Sequence, residues 1–473
     1  MTPPAAICKR DVGGLAAWQH IGGRGIVARE RTGVLWRMSA RAWQAMGRFG
    51  LGRRGAEALP DDPMAWLAGQ LDGTDPALAL AARSTAEGLA AWREDIRRGN
   101  DGVSQSRIVF QEDVSGLLDY VAVTDVPFRE RLAWFWANHF TVSQRRGAVV
   151  PVANAFLREA IRPHVTGTFA DMLGAVMKHP AMLFYLDNQD SAGPRSAAAE
   201  AAPVARRVGL NENLARECLE LHTVTPASGY SQSDVVQMAL VLTGWGVMLR
   251  GDVPGMVFRR GQHEPGEKMV LGHRVPAGPE GLESVLGFLA RHPATLRNLA
   301  VKLVRHFVAD VPPEPAVAKV ERVLRETDGD LKAAALAVAG LPQAWESPGG
   351  PMSKLRGPFD YVMAVVRAMD LPAGRRPGLR EAVAALGQAV MNAPLPNGWP
   401  DMARDWAGPE AMMRRVDFAW GVAGRGAGLE PMMVAEQALG PLLGEATRGE
   451  MMRAGSRREA LALLFAGPEF QRR

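Results

Sequence analysis

Apolar residues recur along most of the chain at the spacing of an amphipathic α-helix. The clearest case is the face formed by Leu132, Phe135, Trp136, His139 and Phe140, which follows the i, i+3, i+4, i+7, i+8 pattern of a buried helix. The same periodicity predicts helices over residues 77–92, 149–161, 167–178, 210–224, 231–243, 280–291, 294–309, 315–326, 353–369, 376–388, 409–422 and 456–466. From about residue 40 onward the pattern therefore predicts an all-α fold.

Alternating, strand-like patterning is rare in the chain. The best example is residues 256–275, where short apolar runs at 256–258 and 269–271 flank a turn that contains Gly and Pro. We therefore predict one large multi-helix body with at most one small β-hairpin near 256–275.

Three stretches lack helical periodicity. Residues 1–39 are rich in Gly and Arg, and we expect a flexible N-terminal extension before a helical domain over 40–473. Residues 192–209 are biased toward Ala and Pro and predict a low-complexity loop. Residues 390–408 are rich in Pro, Asn and Gly, and an irregular segment of this length in a compact domain is either functional or disordered.

Composition narrows the class of protein. The 473 residues are 47% hydrophobic and 22% charged, which is typical of a globular chain with a sizeable core. Two cysteines, Cys8 and Cys218, exclude a disulfide framework, and we expect both to be free thiols. The net charge is +5, but the basic residues are interleaved with acids and form no tract, which argues against specific nucleic-acid binding.

The hydropathy pattern also bears on where in the cell the protein is located. No apolar run approaches the ~18 residues that a transmembrane helix needs, so we expect no transmembrane segment. The first thirty residues carry Lys9, Arg10, Arg24 and Arg29 without an apolar stretch between them, unlike a signal peptide. The sequence as it stands predicts a cytoplasmic protein.

A carboxylate edge is predicted along residues 210–222. At about 100° per residue, Asn213, Glu217 and Glu220 lie together on the flank of an apolar helical stripe. Two carboxylates at the border of a core repel each other unless a cation, an arginine or a shared proton compensates them. Arg216 is spaced to pair with Glu212 or with Glu220. The alternative interpretation is a solvated helix face with local ion pairs.

Two further segments carry candidate chemistry. His139 follows Asn138 on an apolar helix face, where it is either a core histidine bonded to backbone or a metal ligand or acid–base group. Asp187 and Asn188 belong to a run of side-chain oxygens at a helix end, which either turn the chain or bind a calcium- or magnesium-like ion. The G-x-G-x-x-G at 50–55 follows no strand, so we interpret it as a turn.

Several of these segments together resemble one bacterial family, domain of unknown function 1800. The resemblance rests on residues 134–140, 209–223, 242–245, 302–307 and 398–401, among others, and covers about residues 40–473. It implies a helical single-domain body without an established activity. It also implies a companion protein, an exported neighbour of the sulfatase/phosphatase-like type, and leaves a periplasmic or exported location open.

The motifs that match the family are dominated by polar residues rather than aliphatic ones, which favours a ligand cleft over a purely structural role. We expect Asn213, Glu217, Glu220, Asp187, Asn188 and His139 to converge in one carboxylate- and amide-rich pocket. The predicted catalytic groups are Glu217, Glu220 and His139, and the predicted metal ligands are Asp187 and Glu217. The predicted ligand-binding residues are Asn211, Asn213, Arg216, Asn138, Asn188 and Trp245.

Two hypotheses on function follow from this pocket. In the first, the cleft binds a metal ion or a small polar ligand, with hydrolysis as one reaction it could support. The cofactor stays open, with a divalent cation as a candidate. In the second, the protein is a non-catalytic assembly or maturation partner of the exported sulfatase/phosphatase-like protein, and the same polar residues lock buried helix junctions.

Overall fold

Helices dominate the structure, a computed structural model that describes residues 40–99, 102–201, 209–345 and 353–473. The first half contains α1 Pro63–Gly69, α2 Thr85–Arg98, α3 Gln105–Val123, α4 Pro127–His139, α5 Ala153–Phe156, α6 Phe169–Lys178, α7 Pro180–Tyr185, α8 Ala197–Ala201, α9 Asn213–Glu217 and α10 Gln232–Leu242. The second half contains α11 Glu280–Arg291, α12 Pro293–Phe307, α13 Glu314–Glu326, α14 Leu331–Ala339, α15 Pro342–Trp345, α16 Pro358–Met369, α17 Leu379–Ala385, α18 Ala403–Trp406, α19 Pro409–Ala423, α20 Pro431–Ala438, α21 Glu445–Arg453, α22 Arg457–Ala466 and α23 Pro468–Gln471.

Local sequence signals set many of the helix starts. Ser84 and Ser231 each form a capping box with an acidic residue three positions later, which satisfies free backbone N–H groups of α2 and α10. Proline occupies the first position of α4 and α12, where its missing N–H costs nothing. In addition, the His292 ring accepts a hydrogen bond from the Ala294 N–H and caps α12.

The all-α prediction is confirmed, and most predicted helices coincide with observed ones. The sequence did not predict α3, because its buried face includes Ser106 and Asp113, which interrupt the apolar stripe. Two predicted helices depart from α geometry. Residues 149–161 combine 3₁₀, α and π turns, and residues 218–222 form the π-helical turn Cys218–His222 directly after α9.

The prediction of a single hairpin near 256–275 is wrong in its strand pairing. The segment forms two antiparallel hairpins, because each apolar run pairs with its nearer neighbour across a local turn. Strand β1 (Trp245–Met248) pairs with β2 (Gly255–Phe258), and β3 (Lys268–Val270) pairs with β4 (His273–Val275). The runs at 256–258 and 269–271 therefore lie in different sheets.

The structure bears differently on the three segments that were predicted to lack helical periodicity. Residues 390–402 are irregular as predicted, and α18 follows them. The predicted loop 192–209 contains the short helix α8, while 202–208 lie outside the described residues. The predicted extension 1–39, with Cys8, also lies outside them. Cys218 is a free, buried thiol, and burial raises its pKa to about 12.

Helices from both halves of the chain share one hydrophobic core. A continuous cluster of buried apolar side chains includes residues from Phe49 to Phe470. Among the helices described, none combines the length and the apolar character that crossing a membrane requires. The core brings α4, α12 and the start of α16 together around the cavity described next.

Candidate functional site

A cavity of about 420 Å³ lies between α4, α12, the start of α16 and the irregular segment before α18. Its apolar wall is largely aromatic and includes Trp134, Phe135, Phe359, Trp399 and Trp406. Its charged lining has four basic residues, Arg131, Lys302, Arg305 and Arg404, and three acidic ones, Asp360, Asp401 and Asp405. A volume of this size fits a small organic molecule.

One wall of the cavity is held in place by Asn138. The Asn138 amide donates to the Trp399 carbonyl (2.9 Å), and the Trp399 N–H donates to the Asn138 side-chain oxygen (2.8 Å). Gly398 allows this approach, since it has φ +78° and a Cβ there would lie 2.5 Å from the Asn138 carbonyl oxygen. Asn138 was predicted to bind ligand. Asn138 lies in the cavity lining and its amide fixes the loop that carries Trp399, while ligand binding by Asn138 stays a prediction.

His306 links two charged residues of the lining. Its Nδ1 donates to Asp401 Oδ2 (2.8 Å), and its Nε2 accepts from Arg131 Nη2 (2.9 Å). An arginine nitrogen can only donate, so this arrangement fixes the histidine tautomer with the proton on Nδ1. Arg131 also lies 3.2 Å from Asp360. The His306 ring nitrogens are therefore occupied by protein partners.

Lys354 and Arg473 complete this network. Lys354 pairs with Asp310 (2.5 Å) and lies 3.8 Å from Asp401, and Arg473 lies 3.4 Å from Asp360 and 3.8 Å from Asp401. Arg131, Lys354 and Arg473 thus each lie within 4.0 Å of at least one of the carboxylates of Asp310, Asp360 and Asp401. Burial alone would raise the pKa of Asp401, but His306, Lys354 and Arg131 outweigh it and lower the pKa.

Lys302 and Arg305 differ from this network because they have no acidic partner. They lie one turn apart on α12 and both line the cavity. Within the described part of the chain, neither forms an ion pair with a carboxylate, and the buried Nε of Arg305 has no hydrogen-bond partner. A charge without an acidic partner is costly where it is shielded from water, and these two partly buried cations lie at a cavity where an anion could pair with them.

Lys302 is held by groups that can only accept. Its Nζ donates to His139 Nδ1 (3.0 Å) and to the Leu221 carbonyl (3.1 Å). His139 Nε2 donates to the His222 carbonyl (3.2 Å), which fixes the tautomer that leaves Nδ1 free to accept. Asn298, one turn earlier on α12, donates to the Thr223 carbonyl (3.0 Å). Three successive carbonyls at the end of the π-helical turn are thus satisfied by side chains.

The surroundings shift the pKa values of all three titratable groups here. Burial, together with the charge of Arg305, lowers the pKa of Lys302 to about 8. Burial and the charge of Lys302 lower the pKa of His222 to about 3. The pKa of His139 is also well below its ordinary value, for the same two reasons and because His222 is close. Both imidazoles are neutral at pH 7, so neither supplies charge to the cavity.

The predicted carboxylate edge lies elsewhere. Glu217 and Glu220 are half-buried and are not part of the cavity lining, and Asn213 is exposed. Burial and the charge of Glu220 raise the pKa of Glu217, as like charges at the border of a core should. Tyr230 donates to Glu220 at 3.4 Å. Arg216 pairs with Glu212 (3.1 Å) rather than with Glu220.

The remaining predicted residues hold a junction around α7. Asp187 pairs with Arg146 (2.5 Å), and its carbonyl accepts from the Asn211 side chain (3.1 Å). Asn188 is fully buried and donates to the carbonyls of Leu242 (3.0 Å) and Trp245 (2.9 Å). These contacts explain the polar motifs by local structure.

The prediction that these six residues converge in one pocket is therefore wrong. Of those six, His139 alone lines the cavity, whose charged lining mixes four basic and three acidic side chains. Over the described ranges, no group of three or more His, Cys, Asp or Glu side chains is placed to hold a metal ion. The helical spacing of Glu217 and Glu220 is correct, but spacing within one helix does not reveal which face meets a cavity.

Several cavity residues that were not predicted come from segments that the sequence had singled out, whereas Arg131, Phe359 and Asp360 do not. Lys302, Arg305 and His306 lie in the motif at 302–307, and Trp399 and Asp401 lie in the irregular stretch 390–408. A usable signal was the polar stripe of Asn298, Lys302 and Arg305 at i, i+4 and i+7 along one side of α12.

The fold and the site define a helical protein with a largely aromatic cavity, in which two of the four basic side chains, Lys302 and Arg305, have no carboxylate partner among the described residues. The chain belongs to the family described as protein of unknown function DUF1800, whose sequence model matches residues 44–472. The resemblance inferred from the motifs is thereby confirmed. No curated protein and no solved structure matches the chain.

Proposed function

We propose that the protein binds a small organic anion in this cavity. Lys302 and Arg305 hold the anionic group, and the apolar body of the ligand packs against the Trp and Phe rings. The observation that carries the proposal is the pair of cations on one turn of α12 that line the cavity without a carboxylate partner in the described chain. Arginine and lysine together are suited to a carboxylate or phosphate group.

The rest of the site supports this assignment. The neighbouring network of Asp401, His306 and Arg131 compensates its own charges, so its carboxylates do not neutralise Lys302 and Arg305. The tilted ring pair of Trp134 and Phe359, with centroids 4.6 Å apart, offers an apolar aromatic surface. An anion with an aromatic or other planar body matches both features.

Thermal unfolding with matched probes tests the proposal. Mandelate and phenyl phosphate are anions with an aromatic ring, and mandelamide is the neutral counterpart of mandelate. A ligand that binds only the folded state raises the melting temperature with its concentration. We expect at least one of the two anions to raise it and mandelamide to leave it unchanged. The phosphate and the carboxylate arms distinguish the two sources of negative charge.

The same assay includes the earlier metal hypothesis on Asp187 and Glu217. Magnesium and calcium chloride are added alone, with sodium chloride at equal ionic strength as the control. A rise in melting temperature with either cation, without a response to any anion, would contradict the anion site and favour the metal site. The hydrolytic activity, the companion-protein hypothesis and the location in the cell stay predictions.

A further inference from the structure

The position of Lys302 beside Arg305 suggests chemistry as well as binding. We infer that Lys302 is a nucleophilic amine that forms an imine with the carbonyl carbon of a 2-oxo acid whose carboxylate is bound by Arg305. This inference rests on the proposed anion site and names its substrate class. A 2-oxo acid carries its carbonyl next to its carboxylate, so two side chains one helical turn apart can reach both groups.

The contacts of Lys302 can be satisfied by a neutral amine, which forms once the ammonium has released a proton. Its two protein partners, His139 Nδ1 and the Leu221 carbonyl, are acceptors, so the amine needs only two protons to satisfy both. A neutral amine then keeps its lone pair, and the side chain lines the cavity. An ammonium in the same place would have a third proton and no carboxylate near it in the described chain.

The charged and titratable groups around the amine act in the same direction. Arg305 and His306 lie on its own helix, His139 faces it from α4, and His222 lies at the end of the π-helical turn. Arg305 repels the ammonium form, and the two buried imidazoles are neutral at pH 7. Desolvation of a lysine next to another cation is an established way to activate it as a nucleophile.

The reaction balances without a further reactant. The ammonium first gives one proton to solvent. The nitrogen then attacks the carbonyl carbon and forms a C–N bond, and the former carbonyl oxygen leaves as water once it has taken up protons from the nitrogen and from solvent. The product is a C=N bond between Lys302 and the acid, and no atom is oxidised or reduced overall.

Reductive trapping tests the inference on the full-length protein. The probe is phenylglyoxylate with sodium cyanoborohydride, which supplies the hydride that turns an imine into a stable amine. We expect the intact mass to increase by the ligand less one oxygen atom, and peptide mapping to place the adduct on Lys302. Excess mandelate, which has a hydroxyl in place of the carbonyl, should compete and reduce the yield.

Two variants of Lys302 and one control make the test specific. Lys302→Arg keeps a donor for the Leu221 carbonyl and a positive charge but cannot form an imine, and Lys302→Met removes both. We expect both variants to lose the mapped adduct, whereas Lys319→Met, which changes a half-buried lysine on α13 outside the cavity, should keep it.

The outcomes separate this inference from the proposed function. Stabilisation by phenylglyoxylate and mandelate without an adduct on Lys302 would overturn the imine and leave the anion site intact. Adducts spread over exposed lysines and unchanged in Lys302→Arg would also overturn the imine. If neither acid stabilises the protein and no adduct forms, both the anion site and the imine are wrong.

Discussion

Two clusters of charge in this protein, one fully buried and one partly buried, differ in whether their cations have carboxylate partners among the described residues. Arg162 is 2% exposed and makes two hydrogen bonds to Glu130 (2.8 and 2.7 Å) and one to Asp75 (3.0 Å). Lys302 and Arg305 line a cavity and have no such partners in the described chain. Burial alone would lower the pKa of Arg162, but its two carboxylates raise it, whereas the pKa of Lys302 is lowered to about 8.

The contrast teaches how to separate structural charges from candidate functional ones. A fully paired buried charge is explained by folding, because each partner satisfies the other. An unpaired cation beside a cavity has a cost in the empty protein that a bound anion would remove. Perturbed groups of this kind cluster at functional sites, although structural networks perturb pKa values as well.

The largest effect is expected in the paired cluster. Glu130→Gln leaves the Arg162 guanidinium without its main partner in the core, and we expect the free energy of unfolding to fall by about 3–5 kcal/mol. Chemical denaturation measures this loss. Glu283→Gln removes a carboxylate from the exposed pair with Lys178 and should cost less than about 1 kcal/mol. Equal losses of unfolding free energy in Glu130→Gln and Glu283→Gln would contradict the distinction between the buried and the exposed ion pair.

The pH dependence of Lys302 should be the next largest effect. Its pKa is about 8 in the folded protein against an ordinary 10.5, so between these values the unfolded chain holds a proton that the folded protein has released. The free energy of unfolding therefore rises with pH across this window, by roughly 3 kcal/mol at most. The difference in the free energy of unfolding between the parent and Lys302→Met isolates the contribution of the Lys302 amine. A difference that stays flat from pH 7 to 10 would show that Lys302 is not perturbed.

Arg305 should show a small effect on stability and a clear effect on binding. Arg305→Gln removes no observed partner, so we expect the free energy of unfolding to change by less than about 0.5 kcal/mol. We expect the affinity for mandelate to fall at least about tenfold, since hydrogen bonds to charged groups contribute about 1.5–3 kcal/mol. Isothermal titration measures the affinity. Arg297→Gln, on the same helix outside the cavity, is the control and should bind as the parent does.

The smallest effect concerns the carboxylate edge. The pKa of Glu217 is raised by burial and by Glu220, so folding favours its protonated form, and the associated stability is lost as pH rises. Glu217→Gln should therefore be about 0.5 kcal/mol more stable than the parent at pH 7 and equal to it at pH 4. Denaturation at the two pH values checks this. A large destabilisation at pH 7 would mean that Glu217 has a structural partner.

The fold was more predictable than the site for a physical reason. Helical periodicity is a local property, so the sequence indicated α12 or α19 within one or two residues. The site depends on which helix faces meet. Arg131, Lys302 and Trp399 are far apart in the chain, and the core packing that brings them together leaves no local signal. Helical spacing correctly placed Glu217 and Glu220 close enough for their charges to affect each other. Spacing within one helix could not show that the cavity lies elsewhere.

A crystal structure of the parent protein with saturating mandelate tests the central claim most directly. The account predicts the carboxylate within about 3 Å of Lys302 Nζ and of an Arg305 guanidinium nitrogen, with the phenyl ring against Trp134, Phe359 or Trp399. Arg131 should keep its contacts with His306 and Asp360. A mandelate carboxylate bound at another place, with the cavity between α4 and α12 empty, would contradict the account.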